Sequence, residues 1–453
     1  MSLLMTPEPL SRSFFDMGDF ERFISENAET DVSRLLLSCV SWPSIEDPFL
    51  AGFDSKELAV NTIQARRKLK DKVPEWYETS SLVYPTALGS EQCSSTVTAR
   101  YKATLAKRIL GEVPGRIADL TGGLGVDCWA FSAVASEVLY NERDPRLVAA
   151  VKHNYSELGV RNVRFSDKEV TSGSVSAILG SFNPDIIFLD PARRSSAGNK
   201  VFLLEDCSPD VLSILPSLLA SSRHVLLKLS PMADLSMVVE RINQTYEKHL
   251  EAISGSGWNG DWVREIHVVA CGGECKELLV WLDREWKGDY SVTCREDGGS
   301  LSFGRREIRS SKPVLPESAN FKYVFEPGKS IMKAGVLNIL CERFDLVKLA
   351  RFTQLLSFRD FISRDEAQKR LGPLSGMGKL FEVEEVLKMG KAAFRDVSKR
   401  FPRSEVSARN IPMSSDELRS RLGVKSGDDA HVFGVKVETP FESANFLLVC
   451  HRI

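Results

Sequence analysis

The sequence predicts an α/β fold built as a helical front, a doubly wound seven-stranded sheet and a small α+β module at the end. Three observations carry this reading. From Arg116 onward, short apolar runs alternate with helical stretches, which is the pattern of βαβ units and a parallel sheet. REIHVVAC (264–271) and KELLVWLD (276–283) are separated only by Gly272, Gly273, Glu274 and Cys275. That is too short for a crossover helix, so these two runs form an antiparallel hairpin. Finally, residues 1–110 contain no alternating strand, while FERFISENAETDVSRLLLSCV and SKELAVNTIQARRKLKDKV place apolar residues near helical spacing. At ~150 residues per domain, 453 residues suit about three domains. The expected division is 1–110 for the helical domain, 111–290 for the sheet domain and 315–453 for the α+β module.

Five strands precede the hairpin: RIADLT (116–121), EVLYNE (137–142), NVRFSD (162–167), DIIFLD (185–190) and HVLLKLS (224–230). RLVAAVKHNYSEL between the second and third places Leu147, Val151 and Leu158 on one helix face. Ser208 and Pro209 supply a cap and a first-turn proline for the helix before Val225. The Gly-, Ser- and charge-rich REDGGSLSFGRREIRSSKPVLPE marks the exit from the sheet. Beyond it IMKAGVLNILCERF and KLFEVEEVLKMGKAAF are expected to be helical, followed by strand EVSARN, helix SDELRSRL and strands HVFGVKVE and NFLLVCHRI.

Composition excludes several classes. With 43% hydrophobic and 26% charged residues the chain is neither disordered nor a disulfide scaffold. Nine cysteines, an odd number without regular spacing, read as reduced thiols in a reducing compartment. Cys271 and Cys275 have no second Cys or His pair nearby to complete a tetrahedral site, so no metal is expected. No run reaches the ~18 to 20 apolar residues of a membrane span and no secretory leader is evident, so the expectation is a cytoplasmic protein without a membrane partner. The net charge of -2 is unevenly spread, because residues 301–453 hold 27 basic and 19 acidic side chains. That excess suits either a polyanionic partner or scattered solvated helices.

The strongest local signal is DLTGGLGVD (119–127), which starts on a strand and runs into a helix. Gly122, Gly123 and Gly125 remove Cβ atoms where the chain doubles back, letting a nucleoside approach the backbone. Thr121 and Asp127 belong to the same segment. A dinucleotide site would want a glycine at position 128, where Cys128 stands. Asp119 ends the first strand and would repel a pyrophosphate, but suits a cationic amino-acid or sulfonium group. Glu142 ends the second strand, where a carboxylate accepts from ribose hydroxyls, and Asp167 ends the third, placed for an adenine amino group. Singly these are ordinary strand-end carboxylates. Three at successive C-terminal edges beside a glycine loop favour a nucleoside site.

These features resemble the class I S-adenosylmethionine-dependent methyltransferases, whose Rossmann-like core is a seven-stranded sheet with a reversed final strand. The resemblance covers about residues 100–283. The helical front, EQCSSTVTARYKA (91–103), DPARR (190–194) and GECKELLVW (273–281) are similar to bacterial methyltransferases with a C-terminal THUMP-like domain. The resemblance implies S-adenosylmethionine as cofactor and an RNA substrate, tRNA or rRNA. A small-molecule methyltransferase and a non-catalytic nucleoside- or RNA-binding protein stand as alternatives, and the oligomeric state is left open.

At the reacting end the fourth strand runs into Asp190, Pro191, Ala192, Arg193 and Arg194. Families that methylate exocyclic amines carry an Asp or Asn, two prolines and an aromatic here; Asp190 and Pro191 fit, whereas Ala192 and Arg193 replace the rest. Arg193 either stacks on a base or clamps a phosphate, or else forms a salt bridge. C5-pyrimidine methyltransferases place a nucleophilic cysteine after the fifth strand, but here that strand ends Leu229, Ser230, Pro231, Met232. Cys207 beside a helix start reads as structural. ARYK, LDPA, LLKLS and VREIHVVA are similar to the contexts of a Lys-Asp-Lys-Glu tetrad in ribosomal 2′-O-ribose methyltransferases, which would make Lys102, Asp190, Lys228 and Glu265 one catalytic group. The alternative is that Lys102 and Glu265 face solvent while Lys228 snorkels from a strand end.

Two further motifs are weaker. PGKS (327–330) ends like a phosphate loop but has Tyr323 where the first glycine belongs, so it reads as a helix start. Trp258 and Trp262 either form a base-stacking platform or anchor their loop.

Overall fold

The computed structural model describes residues 18–193, 204–254 and 262–453. The chain divides into two compact units, one formed by residues 1–263 with 280–287 and the other by 264–279 with 288–453. No helix among the described residues is long and apolar enough to cross a membrane.

The first unit begins with helices α1 (Asp19–Glu26), α2 (Val32–Leu37), α3 (Ser55–Lys72), α4 (Pro74–Glu78), α5 (Ala87–Gln92) and α6 (Thr96–Leu110). Asp54 caps α3 by accepting from Glu57 N–H at 2.8 Å, and Leu58, Ala59, Thr62, Ile63, Ala65 and Leu69 recur at helical spacing to fill its buried face. Ser95 caps α6, which stops at Gly111 with φ +83°.

The helices clasp the sheet portion of the same unit. The Asn154 side chain accepts from Val83 N–H and donates to Val83 C=O, both at 2.9 Å, and His153 meets Asp47 and the Ser81 carbonyl at 2.8 Å each.

The sheet strands are β1 (Arg116–Asp119), β2 (Glu137–Asn141), β3 (Val163–Ser166) and β4 (Ile186–Leu189). A two-residue pair, β5 (Ala192–Arg193) and β6 (Cys207–Ser208), precedes β7 (His224–Leu229). Strand β1 pairs in parallel with β2 and β4, β2 with β3, and β4 with β7. All four residues of β4 are buried, as a strand covered on both faces requires. Between the strands lie α7 (Val126–Ser132), α8 (Pro145–Glu157), α9 (Val175–Leu179), α10 (Val211–Ser221) and α11 (Leu235–Ser254). The crossover direction reverses on either side of β1, so the carboxyl edges of β1, β2 and β4 open the crevice where open α/β sheets hold ligands.

Two local expectations change. Helix α8 buries Val148, Val151 and Tyr155, while Leu147 and Leu158 sit half-buried at its margins. Helix α10 is capped by Asp210, whose carboxylate accepts from Leu212 and Ser213 N–H, whereas Ser208, two residues earlier, belongs to β6.

The second unit holds most of the hairpin strands β8 (Val263–Cys271) and β9 (Glu274–Asp283), turned at Gly272 and Gly273 with φ +60° and +77°. Beyond the expected hairpin, β10 (Ser291–Glu296) runs parallel to β8 and β11 (Gly299–Gly304) antiparallel to β10. The segment read as an exit loop is thus strand, and α12 (Arg305–Ser310) follows.

Next come β12 (Tyr323–Pro327), α13 (Lys329–Ala334), α14 (Leu337–Phe344), β13 (Leu346–Lys348), β14 (Leu356–Phe358), α15 (Arg364–Arg370), β15 (Gly378–Lys388), α16 (Lys391–Arg400), β16 (Arg403–Arg409), α17 (Ser415–Leu422), β17 (Lys425–Glu438) and β18 (Ser443–Arg452). The strands form a sheet ordered β13-β14-β12-β15-β18-β17-β16. Gly335 in the left-handed region splits the expected 331–344 helix into α13 and α14. The expected helix at 379–394 is instead β15 followed by α16. A bulge between Val383 and Glu385 shifts the register of β15, so Phe381, Val383 and Val386 are spaced two then three apart and imitate a helical stripe.

Candidate active site

The glycine loop between β1 and α7 is shaped by two tyrosines beneath it. Tyr140 Oη donates to Gly123 C=O and Tyr155 Oη to Gly125 C=O, each at 2.5 Å. A Cβ at Gly122 would enter the Tyr140 ring, and one at Gly125 would stand 2.7 Å from Tyr155 Oη. Gly123 (φ +53°) and Gly125 (φ +86°) adopt the left-handed backbone that turns the chain. Gly125 N–H closes the turn onto Gly122 C=O, and Gly122 N–H bonds Asn141 C=O at the end of β2, both at 2.8 Å.

This loop floors a cavity of about 660 Å³ whose lining residues all come from the first unit. Thr121, Gly122, Gly123 and Gly125 line it together with Asp119, Asp127, Glu142, Asp190 and Lys228. Asp119 is buried, and its Oδ1 accepts from Thr121 N–H at 3.0 Å. Burial, then the charge of Asp127, hold the Asp119 carboxyl well above the usual carboxylate range, with Asp190 and Glu142 adding to the effect. Glu142 accepts from Gly123 N–H and Asp144 N–H, both at 3.0 Å, which fixes its carboxylate beside the loop. Asp167 is exposed and is not among the lining residues; that wall is made by the next five, Lys168 to Ser172. The Asn141 side chain ties this loop down by donating to Lys168 C=O and accepting from Lys168 N–H.

At the reacting edge, Thr121 Oγ1 accepts from Asp190 N–H at 2.6 Å, and Lys228 Nζ meets Asp190 Oδ2 at 2.5 Å. Pro191 is buried. The Arg193 backbone pairs with Cys207, but its side chain, like all of Arg194, lies outside the described residues. So does Trp258, whereas Trp262 is buried against Tyr246, the anchoring alternative for that residue.

Of the Lys-Asp-Lys-Glu grouping, the first unit shows two ion pairs. One is Lys228 with Asp190; the other joins Lys102 to Asp127 at 3.1 Å. Lys102 is fully buried, contrary to the solvent-facing alternative, and is not among the cavity-lining residues. Glu265 belongs to the second unit, where its carboxylate meets His267 Nε2 at 3.1 Å. Cys207 is buried.

Sequence reasoning missed the wall made by Thr86, Leu88, Gly89, Gln92, Cys93 and Ser94, which the helical front contributes to the cavity. Its single readable trace was the polar QCSS between two helical runs. PGKS is no phosphate site: buried Glu296 accepts from Ser330 N–H at 2.6 Å and Ser330 Oγ at 2.7 Å, putting a carboxylate where a phosphate would sit.

Comparison with known proteins agrees with this geometry. Residues 378–452 match the family model of a THUMP domain-like module, and residues 323–363 that of a ferredoxin-like domain. An uncharacterized S-adenosylmethionine-dependent methyltransferase of Mycobacterium tuberculosis, found in strains CDC 1551 / Oshkosh and H37Rv, is 24% identical over 342 residues, covering 74% of this chain and 79% of the relative. A crystal structure of a candidate methyltransferase from Porphyromonas gingivalis W83 superposes with a TM-score of 0.74 at 26% identity, covering 98% of this chain and 100% of that one. The chain is a class I S-adenosylmethionine-dependent methyltransferase with a THUMP-like C-terminal domain. The residues present in this methyltransferase fit its cofactor. The cavity lies within the ~300 to 1,000 Å³ of small-molecule sites, Gly123 leaves open space where a Cβ would stand, and the carboxylates of Asp119, Asp127 and Glu142 suit a cationic, hydroxyl-bearing nucleoside.

Proposed function

We propose that this methyltransferase modifies RNA, with Asp119, Thr121, Gly122, Gly123, Gly125, Asp127 and Glu142 holding S-adenosylmethionine and Asp190 nearest the acceptor. The bound cofactor supplies an activated methyl group for in-line displacement. Glu142, fixed by two backbone amides, has lone pairs left for ribose hydroxyls. The adenine end falls to the loop that begins at Asp167. Lys228 holds the Asp190 carboxylate at the edge of β4, where it accepts the hydrogen of an incoming N–H or O–H and aligns that atom for attack.

The observation that carries the RNA reading lies in the THUMP-like segment. Lys391, Arg395 and Lys399 are exposed at every fourth position of α16 and have no acidic partner among the described residues. Four residues of helix rise about 6 Å, so the three cations form a row suited to a polyanionic backbone. The neighbouring Arg400, by contrast, is committed to Glu384, Glu385 and Asp396.

The test is K391E/R395E/K399E, assayed by filter binding to total bacterial RNA across a salt series. RNA affinity should collapse, and the slope against log salt should fall by about 2, while S-adenosylmethionine affinity stays at the wild-type value. Unchanged RNA binding would contradict the reading.

A further inference from the structure

Lys102 and Asp127 come from different helices, α6 and α7, and meet where neither is exposed to bulk water. Lys102 has no exposed surface and Asp127 only 8%. Ser94 completes the arrangement: its hydroxyl accepts from Lys102 Nζ at 2.9 Å and donates to Asp127 Oδ2 at 2.8 Å, while Lys102 Nζ lies 3.1 Å from Asp127 Oδ1. Oδ2 of Asp127 is thus held by the Ser94 hydroxyl and Oδ1 by ion pairing with Lys102, and Asp127 is one of the residues that line the cavity.

A buried ammonium is strongly penalised unless it is paired and hydrogen-bonded. An apolar side chain would fill the same space without that penalty, so the placement of Lys102 calls for a reason beyond packing. The charges around Asp127 supply one. Asp119, Glu142, Asp190, Lys228, Lys102 and the Cys93 thiol face this end of the site from β1, the β2–α8 turn, the β4 edge, β7, α6 and the α5–α6 connection. Lys228 pairs with Asp190 and Lys102 with Asp127, whereas Asp119 has no ion pair among the described residues and accepts from Thr121 N–H. The Asp119 carboxyl is pushed up by burial and by the nearby Asp127 charge, as expected for a buried carboxyl beside a second carboxylate. A ligand that brings its own cation relieves this imbalance.

We infer that Lys102 is a positioning residue that acts through Asp127, pinning its carboxylate at the cavity wall so that Asp127 and Asp119 together take the ammonium of the cofactor's amino-acid end. This assignment rests on the cofactor placement proposed above. Lys102 itself touches neither cofactor nor acceptor and is not the base of the reaction.

Three ligands separate this role from simple packing. S-adenosylmethionine and S-adenosylhomocysteine carry the amino-acid end, and 5′-methylthioadenosine lacks it. Their binding to the full-length protein is measured calorimetrically between about pH 5.5 and 9. A cation favours ionised Asp119, so affinity for the first two ligands falls as pH drops through the Asp119 midpoint.

In Lys102→Met the lost positive charge raises that midpoint by about one unit and weakens both ligands about tenfold near neutrality. The affinity for 5′-methylthioadenosine stays within about twofold of wild type. Lys102→Arg restores the midpoint whatever it does to thermal stability. Ser94→Ala, which keeps the charge but frees one Asp127 oxygen, weakens the same two ligands to a smaller degree and serves as the test should Lys102→Met fail to fold.

An unmoved midpoint, equal weakening of all three ligands, or a Ser94→Ala protein with wild-type selectivity would overturn the inference. If the wild type bound none of the three, the cofactor placement itself would be wrong.

Discussion

Lys228 Nζ stands 2.5 Å from Asp190 Oδ2, linking the C-terminal ends of β7 and β4 at the mouth of the cavity. Both side chains retain some exposure, 13% and 35%, so the pair is accessible to an acceptor entering the site. Lys228→Ala should leave Asp190 without its anchor and lower methyl transfer by ~10² to 10⁴-fold. Calorimetry should show S-adenosylmethionine affinity unchanged. A variant that turns over like wild type would remove the pair from the mechanism.

Asp119 gives a pH-dependent prediction. Its folded-state pKa is raised by burial and by Asp127, so protonation favours the folded state. The stabilisation is complete below the ordinary carboxylate pKa and is lost as pH rises through the raised value. At neutral pH and without cofactor, Asp119→Asn should therefore raise the thermal midpoint, by about 1 to 3 °C, because asparagine keeps an oxygen for Thr121 N–H without the charge. Cofactor affinity should drop about tenfold or more. Calorimetry on the ligand-free and titrated variant reads both effects, and a lowered midpoint would show that the ionised carboxylate stabilises the fold.

The three loop glycines should respond differently to alanine. Gly125→Ala adds a Cβ 2.7 Å from Tyr155 Oη at φ +86°, and Gly122→Ala drives one into the Tyr140 ring. Each should destabilise the protein by at least ~2 kcal/mol. Gly123→Ala has φ +53° but open space around its Cβ, so the backbone term of about 1 kcal/mol is all that applies. Denaturant titration of the three variants should show Gly123→Ala as the mildest.

Glu296 tests whether PGKS is structural. Glu296→Ala strips the acceptor from Ser330 N–H and Oγ inside the second unit. Destabilisation of about 1 to 3 kcal/mol is expected, with no change in S-adenosylmethionine affinity. Equal stability of the variant and wild type would leave the buried carboxylate unexplained.

Much of the sheet was readable because its strands are apolar runs cut by helices, and β1 to β4 and β7 fall within the expected segments. Two strands of the second unit were not. β11 reads as loop because Gly299, Ser300 and Ser302 give it little apolar surface, yet it pairs along its whole length with Ser291 to Glu296. β15 reads as helix because its bulge breaks the alternation that marks a strand.

At the site, the strand-end carboxylates and the glycine loop were legible from position in the βαβ pattern. Asp167 was not resolved by that rule, since the chain turns at the end of β3 and presents Lys168 to Ser172 to the cavity instead. The Lys102–Asp127 pair was invisible for another reason. It joins residues 25 apart in sequence on two helices, and neither helical period nor motif spacing records which buried face meets which.

Methyl transfer to RNA is the proposed reaction. It is tested by incubating purified protein with tritiated S-adenosylmethionine and total bacterial RNA from a strain lacking the protein, followed by nucleoside analysis. Label is expected in a single modified nucleoside, lost in Lys228→Ala and reduced in K391E/R395E/K399E. Absence of label in RNA, with cofactor binding intact, would contradict it and turn the search to other acceptors.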